Sequence, residues 1–130
     1  MSDPLEKVAA ASRDVDREIF RRTVKPCVTP EVIAEHRGNP FGPGHSPELE
    51  VVLRYLRRDP VRSKPRYVLV AAQPEKEYRI ALSTRERGVP LTVTDESFAS
   101  SDAAQHAIFV KRLRDLDDAD IDRAVDAAER

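Results

Sequence analysis

The sequence predicts an α+β fold in which a small three-stranded antiparallel meander packs against helices and the N-terminal half is helical. Three observations predict it. Between Arg66 and Leu116 an apolar run and two alternating stretches follow one another across turn residues and close on an amphipathic helix. Ahead of that segment, a capping residue followed by proline occurs at Asp3-Pro4, Thr29-Pro30 and Ser46-Pro47, as at helix starts. At 130 residues the chain has the size of one domain with a modest core.

The first helix starts at Asp3-Pro4-Leu5-Glu6, where Asp3 caps and Glu6 reaches back. Leu5, Val8, Ser12, Val15 and Ile19 follow at spacings of three and four, a narrow seam suited either to a partner chain or to the helix's own domain. The pattern breaks from Thr23 to Thr29, so residues 1–28 read as a helical arm plus a linker that contains Cys27. A short helix from Thr29-Pro30-Glu31 carries Val32 and Ile33 and stops at Gly38 and Asn39-Pro40. Asn39 to Pro47 is a loop dense in turn formers, and within it Phe41 is most simply an anchor in an apolar pocket, or else a ring presented to a partner. From Ser46-Pro47-Glu48 the clearest amphipathic helix runs through Leu49, Val52, Leu53 and Leu56 to Asp59-Pro60.

Tyr67 to Ala72 is too short for a helix and rich in β-formers, which predicts a strand buried on both faces. Gln73-Pro74-Glu75-Lys76 predicts a type I turn, and Tyr78, Ile80 and Leu82 then alternate as a strand with one face in a core. Beyond Gly88 and Pro90, Leu91 to Thr94 predicts a short third strand. Ser100 or Ser101 caps a helix whose stripe is Phe109, Val110, Leu113 and Leu116, with Asp102 favourable in its first turn. Residues 29–116 thus form the α+β domain, and 117–130 are expected to be an acidic tail, a weak helix frayed at its end.

Composition excludes more function classes than it suggests. Lys and Arg (22) nearly balance Asp and Glu (23), so no global field recruits nucleic acid or an anionic membrane. Arg54, Arg57, Arg58, Arg62, Lys64 and Arg66 do cluster; with Tyr55 and Tyr67 as stacking rings they could hold nucleic acid, but no binding motif accompanies them. The single cysteine rules out an internal disulfide and a multi-cysteine zinc site and suits a reducing cytoplasm. The N-terminus lacks the order of a signal peptide, and no apolar run reaches membrane-spanning length. Cys27, His36 and His45 match no metal spacing, and His106 reads as a core-edge histidine with a satisfied ring nitrogen. No phosphate loop, nucleophile elbow or paired-cysteine motif occurs, so the sequence makes no positive case for catalysis.

Pro30-Glu31 leads into Glu35-His36, followed by Asn39-Pro40-Phe41-Gly42 and by His45-Ser46-Pro47 with Leu49, Val52 and Tyr55 behind it. The order continues through Arg66-Tyr67, Glu77-Tyr78-Arg79-Ile80-Ala81, Arg85-Glu86, Gly88-Val89-Pro90, and Phe98 with Ala104, His106-Ala107, Phe109 and Arg112. On these residues the chain resembles the small subunit of N,N-dimethylformamidase. What the resemblance implies is an accessory subunit paired, in equal numbers, with a larger catalytic chain that holds an iron and cleaves formamides to formate and an amine. It implies no catalytic, cofactor or metal residue in this chain. The expected partner surface is Leu5, Val8, Val15, Ile19, Phe41, Arg54, Arg57 and Arg58; the rival expectation is a stand-alone interaction or regulatory module without a hydrolase partner.

Overall fold

Side-chain caps and prolines set the helix starts. The computed structural model describes residues 4–130, and the Asp3 cap and the seam side chains of Leu5, Val8 and Ser12 lie outside the described residues. The elements run α1 (Pro4–Ile19), α2 (Pro30–Gly38), α3 (Pro47–Arg57), β1 (Arg66–Gln73), β2 (Glu77–Ser83), β3 (Thr92–Phe98), α4 (Ser101–Arg114) and α5 (Ala119–Ala128). Thr29, Ser46 and Ser100 sit in extended backbone and accept from Val32, Leu49 and Ala103 N–H, which satisfies donors that a helix start leaves free. The expected break at Thr23–Thr29 is instead a continuation: a π-turn over Phe20–Val24 and a 3-10 turn over Lys25–Cys27. Pro26 offers no N–H to the ladder, and the Thr23 hydroxyl bonds the Ile19 carbonyl at 2.6 Å, so the helix is deformed and does not stop. Among the described residues no helix is long and apolar enough to cross a membrane.

The sheet is an antiparallel meander in the order β1-β2-β3, with Leu69 opposite Ile80, Val68 opposite Ala81, and Ala81 opposite Val93. In the first turn Lys76 N–H bonds the Gln73 carbonyl at 2.9 Å and Glu75 has φ +68°. A positive φ at the third position after proline makes this a type II turn, not the expected type I. β3 extends to Phe98, beyond the expected Thr94, because pairing with β2 overrides the poor strand preference of Asp95, Glu96 and Ser97. Those charges suit an edge strand. β1 is not buried on both faces as expected: Tyr67 to Val70 are half-buried and Ala71 to Gln73 exposed. Among the described residues α4 is the helix that packs along all three strands, so the apolar run of β1 lies at an edge of a sheet covered on one side.

The main core is helical. Ile33, Leu49, Val52, Leu56, Phe109 and Leu113 meet Ile121 and Val125 of α5, with Val28 at the end of the N-terminal segment. The acidic tail is therefore a wall of the core and not a frayed appendage: Ile121 and Val125 are 1% and 0% exposed. Complete burial of such side chains stabilises by about 1.5–3 kcal/mol each. Its acids have partners on other elements, with Lys25 held between Asp118 and Asp120 at 2.9 and 3.0 Å and Arg114 against Asp126 at 2.6 Å.

Candidate functional site

The loop joining α2 to α3 is fixed from both ends. Glu35, on the last turns of α2, accepts from Ser46 N–H at 2.7 Å and from the Ser46 hydroxyl at 2.6 Å, while that hydroxyl oxygen caps α3 through Leu49 N–H. These bonds from Ser46 hold the Glu35 carboxyl below its ordinary pKa, against a smaller cost of burial. Asn39 donates from its side chain to the Pro43 carbonyl at 2.8 Å, and its own carbonyl meets His45 Nε2 at 2.6 Å. Gly42 has φ +75°, a conformation that strains other residues, and a Cβ there would come within 3.3 Å of the His45 ring and press on it. Pro40 is the buried member of this loop. Phe41, expected as the anchor, is 55% exposed, because the turn buries Pro40 and sends the neighbouring ring outward.

Three histidines unrelated by spacing come together behind the loop. His36 Nδ1 and His106 Nδ1 are 2.9 Å apart, and His106 Nε2 lies 2.7 Å from Glu129. A carboxylate only accepts, so His106 donates to Glu129 through Nε2, and the two Nδ1 atoms share a single hydrogen bond. His36 also stacks on Phe109 with ring centroids 3.9 Å apart. Burial, then the neighbouring His106 and His45 rings, push the His36 pKa down to about 3. Burial works against ionisation of Glu129, but the hydrogen bonds from His106 and Arg37 outweigh it and hold this carboxyl low. Both nitrogens of His106, Nδ1 of His36 and Nε2 of His45 have protein partners, and the Cys27 thiol lies on the Thr23 carbonyl at 3.5 Å. Among the described residues no group of three His, Cys, Asp or Glu side chains converges on a point.

The expected partner residues occupy two places. Val15 and Ile19 are 57% and 48% exposed on the outer turns of α1. Phe20 packs tilted against Tyr55 with ring centroids 5.0 Å apart, which lays that end of the arm against α3, where Arg54, Arg57 and Arg58 are exposed. Phe41 projects from the separate α2–α3 loop, so the structure joins arm and arginines through neighbouring elements and keeps the ring on another one.

A second cluster was missed, although Arg66, Arg85 and Arg112 stood among the resembling motifs. Asp59, just past α3, has φ +54° and accepts from Arg85 Nη2 at 2.7 Å as well as from Arg85 Nε. The same guanidinium donates to the Lys64 carbonyl at 2.6 Å and more loosely to those of Val61 and Arg62. It thereby ties the α3–β1 connection to the loop after β2. The bond from Arg85 holds the Asp59 carboxyl low despite some burial. Arg112 is half-buried nearby, and burial followed by the charge of Arg66 lowers its pKa. Tyr67 closes the inner wall; its hydroxyl donates to Asp115 at 2.7 Å, and burial with that bond raises its pKa to about 12.

The sequence pattern of the family described as N,N-dimethylformamidase alpha subunit matches residues 10–123. The N,N-dimethylformamidase alpha subunit of Paracoccus aminophilus is 42% identical over 89 residues, which cover 67% of this chain and 61% of that protein. The subunit of the same name from an Alcaligenes species is 37% identical over 89 residues, covering 67% of this chain and 65% of that protein. The chain thus spans somewhat under two thirds of the length of these relatives.

Proposed function

The chain belongs to the N,N-dimethylformamidase alpha subunit family, and on that premise we propose that it is the small, non-catalytic subunit of a cytoplasmic amide hydrolase. In this reading it sits on a larger chain, in equal numbers, and stabilises it, while the larger chain carries the iron and cleaves formamides to formate and an amine. The observation that carries the reading is the α2–α3 loop, in which Glu35, Asn39 and His45 brace a turn whose phenyl ring stays in water. A braced loop loses little entropy when its ring is buried by another molecule. The exposed Val15 and Ile19 supply a second apolar contact beside Arg54, Arg57 and Arg58.

Co-expression with the larger chain tests it. Iron content, formamide hydrolysis and thermal unfolding are measured for each chain alone and for both together. The expected result is iron and hydrolysis only where the larger chain is present, with the assembly unfolding above either chain alone. Unchanged melting temperatures on mixing, or hydrolysis by this chain alone at the assembly's rate, would overturn the proposal.

A further inference from the structure

The α3–β1 connection and the loop after β2 enclose an open cleft of about 460 Å³ whose walls include Arg62, Arg66, Arg85 and Arg87, against only Asp59 and Glu86 of opposite sign. We propose that this cleft receives a carboxylate-bearing segment of the larger chain, clamped by Arg66 and Arg87. The inference rests on the subunit reading above and adds the surface and its chemistry.

The charge arrangement is incomplete without an anion. Arg85 is committed, because Asp59 and three main-chain carbonyls occupy its guanidinium. Arg62 shares Asp59 at 3.6 Å. Among the described residues the side chains of Arg66 and Arg87 have neither an ion-pair nor a hydrogen-bond partner, and both residues are exposed. The charge of half-buried Arg112 is disfavoured first by burial and then by Arg66 and Arg85, with Asp59 working the other way. Like charges gathered in one place destabilise each other until a counter-charge arrives, and a planar carboxylate fits a guanidinium through two parallel bonds.

Two observations favour a protein carboxylate over a nucleic-acid phosphate. The rings that would stack on bases are not held out for them: Tyr55 packs against Phe20, and Tyr67 is half-buried with its hydroxyl tied to Asp115. The loop that carries Arg87 continues through Val89 and Leu91, 44% and 46% exposed, so the cleft is flanked by apolar surface of the kind protein interfaces bury beside arginine.

The test uses the co-expressed assembly, with dissociation on dilution followed by mass photometry at low and high salt. Arg66→Ala with Arg87→Ala is expected to weaken the assembly about tenfold or more and to flatten its salt dependence, with Lys76→Ala at the β1–β2 turn as the unaffected control. Arg87→Glu alone, on an exposed loop that leaves the Arg85 bonds intact, is expected to weaken it further and covers the case in which the double variant fails to fold. An assembly as tight in these variants as in the wild type overturns the clamp and leaves the subunit reading standing. Failure of the wild-type chains to assemble overturns the subunit reading and the clamp with it. Binding of a single-stranded oligonucleotide at physiological salt that the double variant loses, with assembly unchanged, likewise overturns the clamp in favour of a nucleic-acid site.

Discussion

At the scale of single residues, His36 makes stability depend on pH. Its pKa of about 3 in the folded chain lies below the ordinary 6.5, so the unfolded chain takes up the proton first. The contribution of neutral His36 is fully present above pH 6.5 and is lost as pH falls toward the folded value. The slope approaches about 1.4 kcal/mol per pH unit. Around it stand His106, His45, Glu35 and Glu129; both carboxyls are held below 4.5, so between pH 6.5 and 4.5 the histidine dominates. Urea midpoints at pH 7 and pH 5 are expected to differ in the wild type and to converge in His36→Gln, whatever that variant costs at neutral pH. Phe41 should behave in the opposite manner. Because its ring is 55% exposed, Phe41→Ala is expected to shift the stability of the lone chain by no more than about 0.5 kcal/mol. If the ring is an interface anchor, the same change weakens assembly with the larger chain by more than about 1 kcal/mol, readable in a dilution series.

At the scale of elements, α5 differs most from its sequence. Three of its ten residues, Ile121, Ala124 and Val125, are buried, but the acids between them read as a solvated tail. What the composition hides is that Lys25, Arg114 and Arg37 lie opposite those acids and the last helical carbonyl. Ile121→Ala should cost about 2–5 kcal/mol, because the ring of helices around it cannot fully collapse on the void. A cost below about 1 kcal/mol in equilibrium denaturation would mean that α5 is not part of the core. β1 errs the other way: its apolar run promises two covered faces, and a three-stranded sheet with a single helix layer supplies one.

At the scale of the whole molecule, local chemistry was legible and long-range chemistry was not. The Thr29, Ser46 and Ser100 caps and the alternation of Tyr78, Ile80 and Leu82 declare themselves within a few residues, and the α+β class follows from them. The location of the main core did not follow, because the most apolar stretch belongs to the sheet whereas the best-buried cluster joins α2, α3, α4 and α5. Of the candidate site, the turn-rich loop was visible, but not which of Pro40 and Phe41 faces inward, since that depends on the brace from Glu35 across eleven positions to Ser46. The bond between His36 and His106 spans seventy positions and that between Asp59 and Arg85 twenty-six, so neither leaves a periodic trace. A carboxylate isolated in a run of arginines was the one available hint of the latter.

The burial of Ile121 and Val125 also bears on biosynthesis. A ribosome delivers α5 after every other wall that it completes, so a nascent chain must carry an open hydrophobic trough until those residues clear the exit tunnel. Chains stalled before Ala119 should accordingly be cut by a protease or held by a chaperone, and chains whose α5 has emerged from the ribosome should escape both.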